Sequence, residues 1–203
     1  MIEIFIKGIR KLRLKGYVII NRIRLYHYPN IHFQHHHLPI IKGAFGLSVA
    51  KNSVMTIGKN LSITSGENYN PLARNIQCNI TLNRGAILTI GDNVGISCSS
   101  IWAHKKITIG NNVNIGADCI IMDSDAHSLN YRDRRDSLGM DKVNKIDKAI
   151  TIEDDVLIGT RSIIMKGVTI GARSIIGAGS VVVKSIPSDC IAAGNPAKII
   201  KHL

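Results

Sequence analysis

A chain of 203 residues, 45% of them hydrophobic but only 4% aromatic, holds enough apolar material for one core and too few rings to anchor a conventional globule. Its 26 basic and 14 acidic residues leave a net charge of +12, which suits an anionic partner such as a phosphorylated cofactor, an acidic glycan or a membrane surface. No zinc-finger spacing, helix-turn-helix pattern or aromatic-rich RNA-binding signature is present, which argues against nucleic acid.

Residues 1–40 read as a basic amphipathic segment. Over residues 1–14, Ile2, Phe5, Ile6, Ile9 and Leu12 fall on one helical face, with Lys7, Arg10, Lys11 and Arg13 elsewhere. Residues 22–26, Arg-Ile-Arg-Leu-Tyr, alternate like a strand or extended piece. The segment either packs against the base of the main body of the chain or lies on a membrane surface, and packing is the plainer expectation. His32, His35, His36 and His37 come next, but Pro29 and Pro39 flank them and point to an irregular loop rather than a metal site. The chain shows neither a signal peptide nor an apolar run of about 18 residues, so a cytoplasmic protein is expected, with the inner face of the membrane as the second option.

Residues 41–186 carry a six-residue grammar, strictest after residue 150. Ile152, Ile158, Ile164, Ile170, Ile176 and Val182 form an unbroken aliphatic series, with glycine next at Gly159, Gly171 and Gly177. Four residues after each of the first five aliphatics stands a small or β-branched residue: Val156, Ser162, Val168, Ser174 or Ser180. The same pattern appears in Ile90-Gly91, Ile109-Gly110 and Ile115-Gly116, and faintly in Ile57-Gly58. Neither a helix of period 3.6 nor a simple strand of period 2 accounts for it. A short strand and a bend, three to a coil, does, so that Ile152 should stack on Ile170, Ile158 on Ile176 and Ile164 on Val182. Cys78, Cys98, Cys119 and Cys190 form no CxxC pair and read as small core residues with reduced thiols. The register is lost between Ser65 and Ala86, slips by one near Trp102–Lys106, and is interrupted by a charged excursion over residues 123–148. Residues 187–203 read as a basic tail that leaves the coils.

These repeats resemble the hexapeptide-repeat acyltransferases over roughly residues 50–203. The resemblance implies an all-β, left-handed parallel β-helix with a short N-terminal helical or extended segment and one long loop. It also implies a homotrimer with clefts between adjacent β-helices, and acetyl-CoA as co-substrate with no metal. The left hand comes from the family, since parallel crossovers in ordinary sheets are right-handed. In motif the chain is most similar to sugar and polysaccharide O-acetyltransferases and to the galactoside and maltose acetyltransferases.

Acetyl transfer to a hydroxyl needs a base, and histidine suits it at neutral pH. His127 opens the excursion with Asp123 and Asp125 beside it as candidate orienting carboxylates, and the family carries its catalytic histidine on such a loop. Trp102 and His104, at the register slip, are candidates to touch the acceptor. By resemblance, Gly159, Thr160, Gly177 and Ala178 lie along the pantetheine arm, and Lys184, Lys198 and Lys201 meet the CoA phosphates around Gly194-Asn195-Pro196. Many relatives have tryptophan where this chain has Leu157, which leaves the acceptor open. The expected function is O-acetylation of a sugar or surface-polysaccharide precursor. The alternatives are N-acetylation of an amino-sugar or small molecule such as serine or an antibiotic, and a non-catalytic scaffold. A γ-type carbonic anhydrase would need three zinc histidines where the coils and long loop offer only His104 and His127.

Overall fold

The computed structural model describes residues 2–203, and side chains from residue 12 onward together with Gly8. Helix α1 (Ile2–His27) leads into a left-handed parallel β-helix of stacked three-sided coils. The first coil is β1 (Ile31–Phe33), β2 (Ile40–Lys42) and β3 (Phe45–Val49); the second is β4 (Val54–Ile57), β5 (Ser62–Thr64) and β6 (Cys78–Leu82). The third holds β7 (Ile87–Ile90), β8 (Gly95–Ser97) and β9 (Ser100–Ala103), and the fourth β10 (Lys106–Ile109), β11 (Asn114–Ile115) and β12 (Ile120–Met122). Two short helices, α2 (Tyr131–Arg135) and α3 (Met140–Val143), interrupt the stack. The fifth coil is β13 (Ile150–Ile152), β14 (Leu157–Ile158) and β15 (Ile163–Ile164); the sixth is β16 (Thr169–Ile170), β17 (Ile175–Ile176) and β18 (Val181–Val182). Then β19 (Cys190–Gly194) adds a rung on β17, and β20 (Ala197–His202) folds back antiparallel along it.

Each side of the coil builds one sheet. Sheet A runs β1-β4-β7-β10-β13-β16, sheet B runs β2-β5-β8-β11-β14-β17-β19-β20, and sheet C runs β3-β6-β9-β12-β15-β18. Ile152 pairs with Ile170, Ile158 with Ile176 and Ile164 with Val182, as the period demands, and all six are fully buried. A buried Ile side chain contributes roughly 1.5–3 kcal/mol, so the ladder rather than any single contact holds the core.

The corners explain the rest of the grammar. Between sheets A and B the second corner residue takes a left-handed conformation at Asn60, Asn93, Asn112, Asp155 and Arg173. Asparagine tolerates positive φ better than most residues, and here the amides also bond to one another. Asn60 donates to Asn93 (2.9 Å), Asn93 to Asn112 (3.0 Å) and Asn112 to Asp155 (3.0 Å). Alongside, Asp92, Asn111 and Asp154 each accept the backbone N–H of the preceding coil's corner.

Three expectations change. Residues 22–26 are not extended: with no proline before Pro29 the helix runs on to His27, and Asn21 and Leu25, four apart, both turn inward. Strand pairing starts at Ile31 rather than residue 41, so His32 sits on the first coil. Residues 187–203, expected as a basic tail that leaves the coils, instead hold a further rung and its antiparallel partner. The lost register after Ser65 is an insertion that contains a 3₁₀ turn, Pro71–Ala73, before β6 resumes. Of the apolar face expected over residues 1–14, only Leu12 has a described side chain; Ile2, Phe5, Ile6 and Ile9 lie outside the described side chains, as do Lys7, Arg10 and Lys11.

α1 caps the open end of the stack. A parallel coil with nothing beneath it exposes a row of unpaired carbonyls, and α1 supplies their donors. Arg22 donates to Pro39 (3.2 Å), Asn21 to Ile41 (3.4 Å) and Gly43 (3.0 Å), Arg24 to Phe45 (2.6 Å), and Tyr28, just past the helix, to Leu47 (3.3 Å). Every second carbonyl from Pro39 to Leu47 is thereby satisfied.

The corner ladder yields a test. Asn112→Ala forfeits both amide bonds and strains the left-handed corner, and should cost about 1–2 kcal/mol. Asn112→Gly forfeits only the bonds and should cost less in the same denaturation measurement. Equal losses would show that the backbone conformation contributes nothing.

Candidate active site

The excursion leaves the end of β12 and returns to β13 through a closed neck. Asp125 N–H donates to Ile146 (3.1 Å), Lys148 N–H to Asp123 (2.9 Å), and Ser124 bridges Asp147. Lys166, one coil on, pairs with the Asp125 carboxylate at 2.8 Å. A neck held from both sides presents the loop beyond it as a formed unit.

His127 stands just past the neck with its side chain 60% exposed. Its Nδ1 lies 2.7 Å from Asp141 Oδ2, and the other oxygen of Asp141 accepts the N–H of Ser128 at 2.9 Å. An ionised carboxylate only accepts, so Nδ1 is the donor in this pair, and in the neutral ring the lone pair lies on Nε2. The hydrogen bond from His127, then the Ser128 N–H, holds the Asp141 carboxyl below the usual carboxylate range. Ser128 is fixed in turn: its hydroxyl donates to Asp133 (2.7 Å), its carbonyl accepts from Arg134 (2.6 Å), and Asn144 also donates to Asp133 (2.9 Å). Lys142 donates to Ala126 at 3.0 Å. The imidazole is therefore oriented by its own ring bond and by the backbone on both sides.

The two carboxylates expected to orient His127 do other work. Asp123 is fully buried and accepts three backbone N–H groups, from His104 (2.6 Å), Lys105 (2.8 Å) and Lys106 (2.6 Å). It holds the turn where the sequence register slips. Asp125 is engaged with Lys166 at the neck. Asp141, at the far end of the loop, was not signalled by any short spacing, because the contact spans fourteen residues and depends on the loop closing.

The turn that Asp123 holds displays Trp102 and His104. Their ring centroids are 4.7 Å apart and the Trp102 side chain is partly exposed. Asn83, on the coil below, clamps both: its oxygen accepts from Trp102 Nε1 (3.1 Å) and its amide donates to His104 Nδ1 (2.9 Å). Partial burial, followed by the charge of Lys145, pushes the His104 pKa down, which favours the neutral ring with its proton on Nε2. Asn83 was missed in the sequence because it acts from 21 residues away.

Trp102, His104 and His127 share the edge between sheets C and A, and Lys184 lies on the same edge two coils on. The other cofactor candidates do not join them. Gly159, Thr160, Gly177 and Ala178 form the edge between sheets B and C, and Lys198 and Lys201 are exposed on β20 at the end of sheet B. The glycines are also demanded by the stack itself. A Cβ on Gly159 would stand 2.5 Å from Ala178 N, and one on Gly177 would stand 2.7 Å from Ala193 Cβ. Thr160 donates its hydroxyl to Ala117 (2.5 Å). Leu157 faces outward on sheet B between Asn114 and Ile175, beside a shallow depression lined by Ser62, Gly95 and Asn114.

The family described as bacterial transferase hexapeptide (six repeats) matches residues 149–184, and the hexapeptide repeat of succinyl-transferase matches residues 106–122. A hexapeptide-repeat containing acetyltransferase from Vibrio cholerae is 30% identical, with 82% of this chain and 73% of that one covered and a TM-score of 0.51. That protein has also been solved with acetyl coenzyme A. A galactoside acetyltransferase in complex with coenzyme A is 32% identical over 61% of this chain and 58% of its own, with a TM-score of 0.51. The 2,3,4,5-tetrahydropyridine-2,6-dicarboxylate N-acetyltransferase of Clostridium perfringens is 56% identical over 52 residues, 26% of this chain and 22% of that protein. The chain spans less than half the length of the curated relatives it matches.

Removing the Asp123 carboxylate should loosen the whole turn. Asp123→Ala strands three backbone donors, each costing about 1–3 kcal/mol when unsatisfied and shielded from water. A loss of roughly 3 kcal/mol or more in thermal unfolding, with altered Trp102 fluorescence, is the expected outcome. An unchanged spectrum would detach the carboxylate from the position of the rings.

Proposed function

The chain belongs to the hexapeptide-repeat acetyltransferases, and from that premise we propose that it moves an acetyl group from acetyl-CoA to a hydroxyl of a sugar or surface-polysaccharide precursor. The observation that carries the reading is the His127–Asp141 pair at 2.7 Å, which leaves Nε2 free to act as a base. The acceptor oxygen attacks the thioester carbonyl while Nε2 takes its proton. The tetrahedral intermediate then expels the CoA thiolate, and the protonated imidazole returns the proton to sulfur. Asp141 stabilises the imidazolium between the two steps and keeps the ring in the productive tautomer. The exposed ring of Trp102, braced by Asn83, offers a flat surface to a sugar, and neutral His104 offers its Nε2–H to an acceptor hydroxyl.

Acetyl-CoA would lie along the edge of Gly159, Thr160, Gly177 and Ala178, with its phosphates toward Lys198 and Lys201. Because His127 belongs to another edge of the same prism, a site containing both is most simply built between copies. We therefore propose a homotrimer in which one protomer's excursion reaches the cofactor edge of the next. The second reading is N-acetylation, favoured by the identity to the Clostridium perfringens N-acetyltransferase. Treating the radiolabelled product with hydroxylamine separates them, since esters are cleaved and amides survive.

His127→Ala should lower kcat by about 10²–10⁴-fold, with acetyl-CoA binding retained. Asp141→Asn places an amide donor against Nδ1 and moves the imidazole proton to Nε2. It should lower kcat by about 10²-fold or more with the KM for acetyl-CoA and the melting temperature unchanged. Turnover above about a tenth of wild type in either variant would remove the base assignment.

The cofactor assignment has a separate test. Lys198→Ala with Lys201→Ala should raise the KM for acetyl-CoA by about 3–10-fold, leave kcat at saturation nearly unchanged, and lose its effect at high salt. An unaltered KM at low salt would put the phosphates elsewhere.

A further inference from the structure

We propose that α1 lies on an anionic lipid surface and seats the protein on it base-down. The helix is 26 residues long, about 39 Å at 1.5 Å per residue. One side is committed: Asn21 and Leu25 are buried, and the side chains that cap the first coil hold this side beneath the stack. Among the described residues the opposite side carries an exposed apolar stripe. Leu12, Ile19, Ile23 and Tyr26 are spaced i, i+7, i+11 and i+14, which aligns them within about 60° of arc along the helix. They are 74%, 57%, 64% and 61% exposed; Leu12, Ile19 and Ile23 point away from the body, and Tyr26 closes the stripe with its ring 5.2 Å from that of Phe33 on the first coil.

What would cover this stripe is decided by its borders. Lys15 and Arg22 run along one side, Arg13 and Arg24 along the other. None of the four pairs with a carboxylate among the described residues. Arg22 and Arg24 turn their guanidinium groups toward carbonyls of the first coil, so Arg13 and Lys15 are the border charges that face outward. Two copies of the helix meeting stripe to stripe would set these basic rows side by side, whereas an anionic surface is attracted by both rows as the stripe enters the headgroup region. No described helix is long and apolar enough to cross a membrane, so the contact is one of lying in the interface.

The arrangement leaves the catalytic loop free. The excursion follows the fourth coil, three inter-coil steps or about 14 Å above the first, beyond the layer that α1 enters. Docking is thus independent of the acetyl-transfer reading and can fail or stand without it.

The test uses the full chain and sedimentation with two kinds of vesicle, pure phosphatidylcholine and a phosphatidylcholine–phosphatidylglycerol mixture. Wild type should partition to the mixed vesicles and little to the neutral ones. Ile19→Glu with Ile23→Glu should lower that partition by at least about tenfold. Arg13→Gln with Lys15→Gln should weaken it less and only at low salt. All four side chains are solvent-facing, so melting temperature, mass by light scattering and acetyl-CoA binding should match wild type. Failure of wild type to bind mixed vesicles, or full binding by the double glutamate variant, overturns the proposal. A fall in oligomer mass in that variant overturns it too, by assigning the stripe to another copy.

Discussion

Every feature of this protein rests on coils being stacked in register. In a parallel stack each residue sits above its counterpart, and a slip of one residue turns every inward aliphatic outward. The glycines and left-handed asparagines guard that register at the corners. A Cβ on Gly91, for example, would stand 2.6 Å from the Gly110 carbonyl oxygen of the next coil. The amide ladder through Asn60, Asn93, Asn112 and Asp155 ties the same corners by their side chains, so corner geometry and core stacking enforce one another. Neither insertion falls on the corner that the amide ladder ties. The long excursion and the 66–77 insertion both lie between strands, and neither changes the pairing of the coils they separate.

That constraint explains what could be read from the sequence. The aliphatic ladder over residues 152–182 was legible because its cause is local: each six-residue unit must solve the same problem of one inward side chain and one bend. His127 was legible as a base candidate because a charged excursion from so regular a stack stands out. Its partner was not. Asp123 and Asp125 are the nearest carboxylates in sequence, but strand geometry spends Asp123 on three N–H groups of the adjoining coil and Asp125 on Lys166. Only a carboxylate from beyond the neck remains free to meet the ring, and Asp141 reaches it when α3 closes the loop.

The same reasoning applies to Asn83. Its clamp on Trp102 and His104 exists because stacking lays the end of β6 beneath the end of β9. Sequence distance across such contacts is set by coil length plus any insertion, and a short motif cannot encode it. The small residues Gly159 and Gly177 show the reverse case. A functional reason is easy to offer for them, yet the next coil already forbids a larger side chain at either position. Their presence therefore cannot by itself distinguish a cofactor channel from a well-stacked corner.

The two ends of the stack are closed differently, and this gives the molecule a polarity. At the upper end β20 folds back on β19 and uses the chain's own backbone to cover one sheet. At the lower end no strand among the described residues lies beneath the first coil, and side chains of α1 bond its carbonyls one by one. A helix satisfies its own backbone internally, so it can bring an entire outer face that the stack does not need. The coil dictates which side of α1 is polar and inward, through Asn21, Arg22 and Arg24. It places no demand on Leu12, Ile19 or Ile23. An apolar, basic-edged surface on the side that the fold leaves unconstrained is a property that capping does not explain.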